Sequence, residues 1–450
     1  MDSALTDFYR CPDELIQTYV ADDLSNDSRY FYFGDATLCY GQTANNPGNV
    51  PEHEGFPDLS DAFTVDGSRV RLPFDPSSIV ENLRRERYMA DNSAGIRDVL
   101  IGPVIQDLYY FIRPFLGIKV RKHLQRLALR RWQDLPFPQW PVDTTVERFI
   151  GRLLLLCIEA QHLDQIPFIW FWPDGASSCA MVTHDVETRA GLQFVPSLMD
   201  VDESVRIAAS FQIVPQEKYP VSRTILDAIR ARGFELNVHD LSHDGELFRT
   251  KENLLRGAEL INAYLRDFGA AGFRSARMHR NPDWFDAFQM AYDMSIPNVA
   301  HLEPQRGGCC TVFPYFIGQV LELPLTTLQD YSLFHILDEY STELWRKQIA
   351  IIRAQHGLIS FLVHPDYLHN NPEGMSVYQQ LLDELARMRE SDGLWIALPA
   401  QVNRWWRERS QMKLVLQDGR WRIEGPGSAR ARLAYLSVSG GRVVHRLASA

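Results

Sequence analysis

The chain has 450 residues, more than one hydrophobic core usually organises, so two or three domains are expected. Hydrophobic residues make up 45% and charged residues 23%, the balance of a folded globular protein, which excludes a disordered chain. With 46 Lys and Arg against 57 Asp and Glu, the formal net charge of -11 excludes a general binder of nucleic acid or anionic membrane, whose affinity rests on Lys and Arg.

The opening stretch, MDSALTDFYRCPDELIQTYV, carries early acids and no continuous apolar run, so it does not read as a secretory signal. Residues 1–165 mix turn-rich text, such as Thr43 to Asn49, with helical text and are taken as an N-terminal accessory region. Thr144 and Glu147 form a capping-box pattern ahead of an apolar run, Leu153–Ile158, that is far too short to span a bilayer. No transmembrane segment is expected, and the expected compartment is the cytoplasm. Six cysteines (Cys11, Cys39, Cys157, Cys179, Cys309, Cys310) are scattered without CxxC spacing, which suits reduced thiols rather than a disulfide framework or a zinc site.

From 166 to 405 candidate strands alternate with candidate helices. Strands are expected at 167–172, 178–184, 206–214, 234–239, 272–276, 296–301, 319–325, 358–364 and 394–398, and helices at 221–232, 251–268 and 342–355. This alternation predicts an α/β fold with a largely parallel sheet, closing into a barrel whose reactive groups gather at the carboxyl ends of the strands. The aromatic runs Phe168–Trp172 and Trp405–Trp406 are expected to fill an interface between accessory region and barrel rather than to stack on sugars. Residues 406–450 switch to short strands joined by glycine turns, a small antiparallel β appendage.

The strand text ending Val182-Thr183-His184-Asp185-Val186-Glu187 closes on three ionisable groups, costly unless solvent, partners or a metal satisfy them. After the strand at 234 come His239 and His243, four apart, which converge if the segment coils. Taken singly these signals are ordinary. A chain with 13 histidines shows such spacings by chance, His184 reads equally as a packed histidine, and His364 before Pro365 as a satisfied core group. Together, Asp185, Glu187, His239, His243, Arg274 and His364 fall at strand termini of one α/β region, the set a metal-assisted hydrolase needs. His279 and Arg280 lie on a following loop, and Asp330 and Tyr331 follow Leu323-Pro324-Leu325, where the aspartate either lines the site or caps the next helix.

In order and spacing these motifs resemble the NodB-homology polysaccharide deacetylases, carbohydrate esterase family 4, whose motifs run TFDDG, HSxxH, an RxPY-like element and an apolar strand ending in histidine. The resemblance covers roughly 165 to 405. It implies a distorted (β/α) barrel and a divalent metal, zinc, with cobalt or nickel as alternatives. It implies Asp185 as general base, Arg274 as its orienting partner, His364 as general acid, and His239 and His243 as metal ligands. Val186 stands where the family places a second aspartate, so Glu187 is taken as the third ligand, with Asp185 as the alternative. Ala276 and Arg277 replace the usual proline and aromatic, and His279 and Asp330 are assigned to substrate binding. The implied activity is removal of an acetyl or formyl group from an amino sugar of a cell-envelope glycan or its precursor. The alternatives are a decayed carbohydrate-binding or assembly protein on the same fold, and a hydrolase of a non-sugar amide; the oligomeric state is left open.

Overall fold

The structure, a computed structural model, describes residues 4–45, 50–90, 129 and 132–448. Residues 46–49 of the turn-rich stretch, and 91–128 with 130 and 131 of the expected accessory region, lie outside the described residues. The chain divides into two compact units, one built from 1–91, 144–178 and 404–450, the other from 92–143 and 179–403.

The second unit, here the barrel unit, is organised by a sheet of nine strands: β1 (Ser178–Val186), β2 (Ser210–Ile213), β3 (Glu235–His239), β4 (Gly272–Arg274), β5 (Tyr292–Asp293), β6 (Tyr315–Ile317), β7 (Val320–Glu322), β8 (Leu358–Leu362) and β9 (Leu394–Ile396). Their order is β6-β7-β5-β4-β3-β2-β1-β8, with β9 paired to β1 outside that path. Neighbours along the path run parallel except the β6–β7 hairpin. Strands β1 and β8 are buried along their whole length, as the apolar runs of a parallel sheet covered on both faces must be. The sheet curls: just past β7, the hydroxyls of Thr326 and Thr327 donate to the carbonyls of Leu358 and Ser360 on β8, both at 2.7 Å. The mixed α/β architecture therefore fits a distorted barrel, drawn together at this seam by threonine side chains.

Helices α1 (Arg189–Ser204), α2 (Arg223–Ala231), α3 (Lys251–Phe268), α4 (Glu343–Ala354) and α5 (Pro372–Ser391) connect the strands. Thr188, Ser222, Thr250 and Asn371 cap α1, α2, α3 and α5, each accepting the backbone N–H three residues on. Helix α1 escapes the sequence reading because Pro196 lies inside it. The strand expected at 296–301 does not form. Its place in the sheet is taken by Tyr292–Asp293, with one further bridge between Pro297 and Leu325.

In the first unit, the strand expected at 167–172 forms at Ile166–Ile169 and pairs antiparallel with Leu433–Ser439, which pairs in turn with Arg442–Leu447. Ile166–Ile169 is the edge of that three-stranded sheet, a position that tolerates Pro167, whose nitrogen has no hydrogen to give. A second C-terminal hairpin joins Lys413–Gln417 to Arg420–Glu424. The helix Thr145–Gln161 starts where the capping box predicts, but the Thr144 side chain makes no capping bond; the helix is held by burial of Leu153–Ile158. The two aromatic runs meet each other within this unit: Trp172 lies 5.4 Å from Trp406, and Trp405 Nε1 donates to Phe171 O at 2.7 Å. Beside them the buried Arg409 guanidinium is satisfied by the carbonyls of Phe8, Tyr9, Ile169 and Trp170. None of the six cysteines is in a disulfide, and all are buried. Among the described residues no helix is long and apolar enough to cross a membrane.

Candidate metal centre

Side chains on a strand alternate between its faces, and β1 uses both. His184 points away from the strand-end cluster: its Nδ1 lies 2.8 Å from Val363 O and its Nε2 3.3 Å from Asp202 Oδ2 on α1, with the Tyr378 hydroxyl of α5 at 3.2 Å. Val186 shares that face and is fully buried, its carbonyl accepting the Tyr219 hydroxyl at 2.6 Å. Thr183 and Asp185 take the opposite face. The chain leaves β1 after Val186, and Glu187 turns back toward the cluster.

There Glu187 meets the two histidines. Its Oε1 is 2.8 Å from His243 Nε2 and 3.9 Å from His239 Nε2, and the ligand atoms of all three residues lie within 4.8 Å of one another. His239 ends β3. His243 is reached by a loop rather than a helical turn, with left-handed backbone at Asp240 (φ 53°) and at His243 (φ 53°). The i, i+4 spacing thus converges by a different route from the helical one predicted, and the imidazole centroids stand 4.9 Å apart. His239 Nδ1 donates to Arg274 O at 3.0 Å, so Nε2 is the nitrogen turned to the cluster. Both Nε2 atoms are buried and make no hydrogen bond of regular geometry; what they face are the carboxylates of Glu187 and Asp185. Two buried imidazole nitrogens converging on a carboxylate, itself 20% exposed, fit a divalent cation. The local field favours positive charge. Burial opposes a charge on His239, but Asp185 and Glu187 outweigh it and raise its pKa.

Asp185 is buried beside this triad, its Oδ2 3.6 Å from His239 Nε2. Arg274, 0% exposed, donates from Nη1 to Asp185 Oδ1 at 3.0 Å and to Thr183 Oγ1 at 2.8 Å, and from Nε to Met294 O at 2.9 Å. Thr183 passes its own hydrogen to Phe361 O at 2.7 Å, which leaves the hydroxyl oxygen to accept from Arg274. Burial alone would raise the Asp185 carboxyl, but Arg274, with His239 and His364, holds it below the usual carboxylate range. Burial works the same way on Glu187, where His243 leads the groups that push it well below.

His364 closes the other side, its Nε2 3.6 Å from Glu187 Oε1. Its Nδ1 is 2.6 Å from Asp330 Oδ1 and its backbone N–H donates to Asp330 Oδ2 at 2.8 Å. Burial disfavours the imidazolium, yet Asp330 and Glu187 raise the His364 pKa well above its ordinary value. Asp330 is 0% exposed, and Tyr331 N–H also donates to it. Its oxygens are committed to its neighbours, so it stands behind His364 rather than facing a substrate. His279, half-buried, lies by the Gly245 backbone and Arg277; burial and then Arg277 push its pKa down to about 4, leaving it neutral at pH 7.

The structure therefore brings Asp185, Glu187, His239, His243, Arg274 and His364 together, sets Asp330 behind His364, and leaves His279 outside the cluster. Asp240, unremarked in the sequence, is buried and holds the histidine loop: it accepts from Leu241 N–H at 2.6 Å and Ala276 N–H at 3.2 Å, while its own N–H donates to Arg274 O at 2.9 Å. Its one sequence signal is an acid set between the two histidines.

No protein-family model and no curated protein matches the chain. Among solved structures, the chain is similar to a Mycobacterium smegmatis protein assigned as a polysaccharide deacetylase, at 18% identity and a TM-score of 0.43, over 53% of this chain and 93% of that one. It is similar to the Puue allantoinase at 12% identity and a TM-score of 0.40, over 52% and 92% of the two chains. A family 4 acetyl xylan esterase from Clostridium thermocellum, in complex with a cobalt ion, is 14% identical with a TM-score of 0.33, over 51% and 91%.

Proposed function

We propose that this chain is a metal-dependent amide hydrolase of the NodB-homology type, removing an acetyl or formyl group from an amino sugar of a cell-envelope glycan or its precursor in the cytoplasm. The carrying observation is the convergence of Glu187, His239 and His243, with ligand atoms within 4.8 Å of one another and both imidazole Nε2 atoms turned to carboxylates. A divalent cation held by these three residues, zinc or else cobalt or nickel, would supply Lewis-acid polarisation of the acyl carbonyl.

The chain's own groups account for the proton movements. Asp185, kept ionised by Arg274, is the general base that takes a proton from the attacking water. Arg274 engages Oδ1, which leaves Oδ2 turned toward His239. His364 has Nδ1 committed to Asp330 and presents Nε2; kept protonated, it donates to the departing nitrogen, which leaves poorly as an anion. Asp330 is a positioning residue in this scheme. His279, neutral at pH 7, is suited to hydroxyl groups rather than to anions. The amino-sugar assignment rests on the order of the strand-end motifs. A decayed binding protein is disfavoured, because it has no chemical reason to keep two buried imidazoles and a carboxylate converged on one point.

The test uses purified protein stripped of metal, titrated with Zn2+, Co2+ or Ni2+, then assayed for acetate or formate release from N-acetyl and N-formyl amino sugars beside linear amides. One cation bound per chain and release from the sugars are expected. Absence of cation uptake sinks the metal chemistry, and release from linear amides alone sinks the substrate class.

A further inference from the structure

Glu187 lies beyond the last β1 residue paired to β2, Val186, so no ladder bond to that strand fixes its backbone. A side chain from another strand end does so. The Glu187 N–H donates to Asp366 Oδ2 at 3.1 Å, and the Thr188 hydroxyl makes a short hydrogen bond to Asp366 Oδ1. Asp366 stands two residues after His364, in the short helix Pro365–Leu368 that follows β8. One carboxylate therefore ties the segment bearing Glu187 to the segment bearing His364. Thr188 caps α1 by accepting the Gly191 N–H at 3.2 Å, so Asp366 is not needed as that cap. Gly191 leaves it room, since a Cβ there would lie 2.4 Å from Asp366 Oδ2.

We propose that Asp366 is the positioning residue of the metal ligand Glu187, setting the affinity for the divalent cation by fixing the Glu187–Thr188 backbone without touching the ion. The inference rests on the reading of Glu187 as a ligand. A ligand carboxylate beyond a strand end has backbone freedom that must be given up on binding; a clamp already in place removes that cost. Outer-shell partners of metal ligands typically change affinity by about 10–100-fold.

The experiment is calorimetric titration of the full, metal-free chain with Zn2+ and Co2+, with thermal melts of each metal-free form. Asp366→Ala is expected to weaken binding by about 10–100-fold. Asp366→Asn recovers part of this, because its amide oxygen still accepts the Glu187 N–H. In a Glu187→Ala background, Asp366→Ala costs no more than about 2-fold, the coupling expected when one residue acts through the other. If Glu187→Ala weakens binding while Asp366→Ala does not, or if the two losses multiply in full, the proposal is overturned and the ligand assignment stands. If Glu187→Ala leaves affinity unchanged, the ligand assignment fails and takes the proposal with it. Should Asp366→Ala melt below the working temperature, Gly191→Ala, whose methyl displaces the carboxylate, is expected to show the same loss, and unchanged affinity in it overturns the proposal.

Discussion

Replacing Arg274 by Met keeps an unbranched side chain but removes its charge and its hydrogen bonds. The guanidinium is fully buried and serves Asp185, Thr183 and the Met294 carbonyl at 3.0, 2.8 and 2.9 Å. Breaking a buried pair by deleting one partner costs about 3–5 kcal/mol, against about 0–1 kcal/mol for an exposed pair. For a domain of this size that is a fall in Tm of roughly 6–20 °C. The pH dependence separates the pair from simple loss of packing. In the wild type, burial pushes Asp185 up but Arg274, His239 and His364 bring it below its ordinary value. Such a carboxylate contributes stability above its unfolded pKa, about 3.9, and that contribution is lost as pH falls through the folded value. Without Arg274 burial dominates, the Asp185 pKa rises, and the ionised form is penalised at neutral pH until a proton relieves it. Urea denaturation of the metal-free protein at pH 7 and pH 5 should therefore show a gap between wild type and variant that narrows on acidification. A gap under about 1 kcal/mol at pH 7, or one indifferent to pH, would refute the pairing.

His239→Ala and His243→Ala should each lose the cation by elemental analysis, whereas Asp185→Asn should keep it and lose about 10²–10⁴-fold in turnover; a metal-free Asp185→Asn protein would make Asp185 the ligand instead. Asp330→Asn removes the charge 2.6 Å from His364 Nδ1. Burial then lowers the His364 pKa, and losing a charged hydrogen bond of about 1.5–3 kcal/mol should move the alkaline limb of the pH–rate profile down by about 1–2 pH units. An unmoved limb would remove His364 from the role of acid. Val186→Asp places a carboxylate on the His184 face of β1, so it should lower Tm without tightening metal binding; tighter binding would contradict the alternation of that strand.

Strands β1 and β8 are legible in the sequence because mainly apolar runs end abruptly in polar residues, and β3 because Phe234, Leu236 and Val238 alternate with polar residues. Helices α2 to α4 are legible through their apolar stripes and their boundaries. Strand β5 is two residues long and carries no periodicity, and Pro196 disguises α1. The partner of Ile166–Ile169 is likewise invisible, since pairing across more than two hundred residues depends on how the chain is routed and not on local text. In the site, the residue types at the strand ends were readable one by one. Their division of labour was not, because it is fixed by contacts between distant segments. Asp330 reads as a cap or a substrate contact until His364, which lies 34 residues on, is seen to occupy it. Asp366 carries no signal in the sequence reading, and its part appears only where Glu187, 179 residues earlier, is found against it. The histidine pair was legible as a pair, while the left-handed turns that bring it together belong to Asp240 and His243 and have no periodic signature.

The pairing of Ile166–Ile169 with Leu433–Ser439 also bears on the order of events during synthesis. The ribosome delivers the first of these strands before the contiguous 179–403 portion of the barrel unit and the second only after it. Until then the run Ile166–Ile169, all four residues buried once paired, is an open apolar edge of the kind that recruits other chains. Cutting the chain before Leu433 would therefore not trim a dispensable tail; it would make that waiting state permanent.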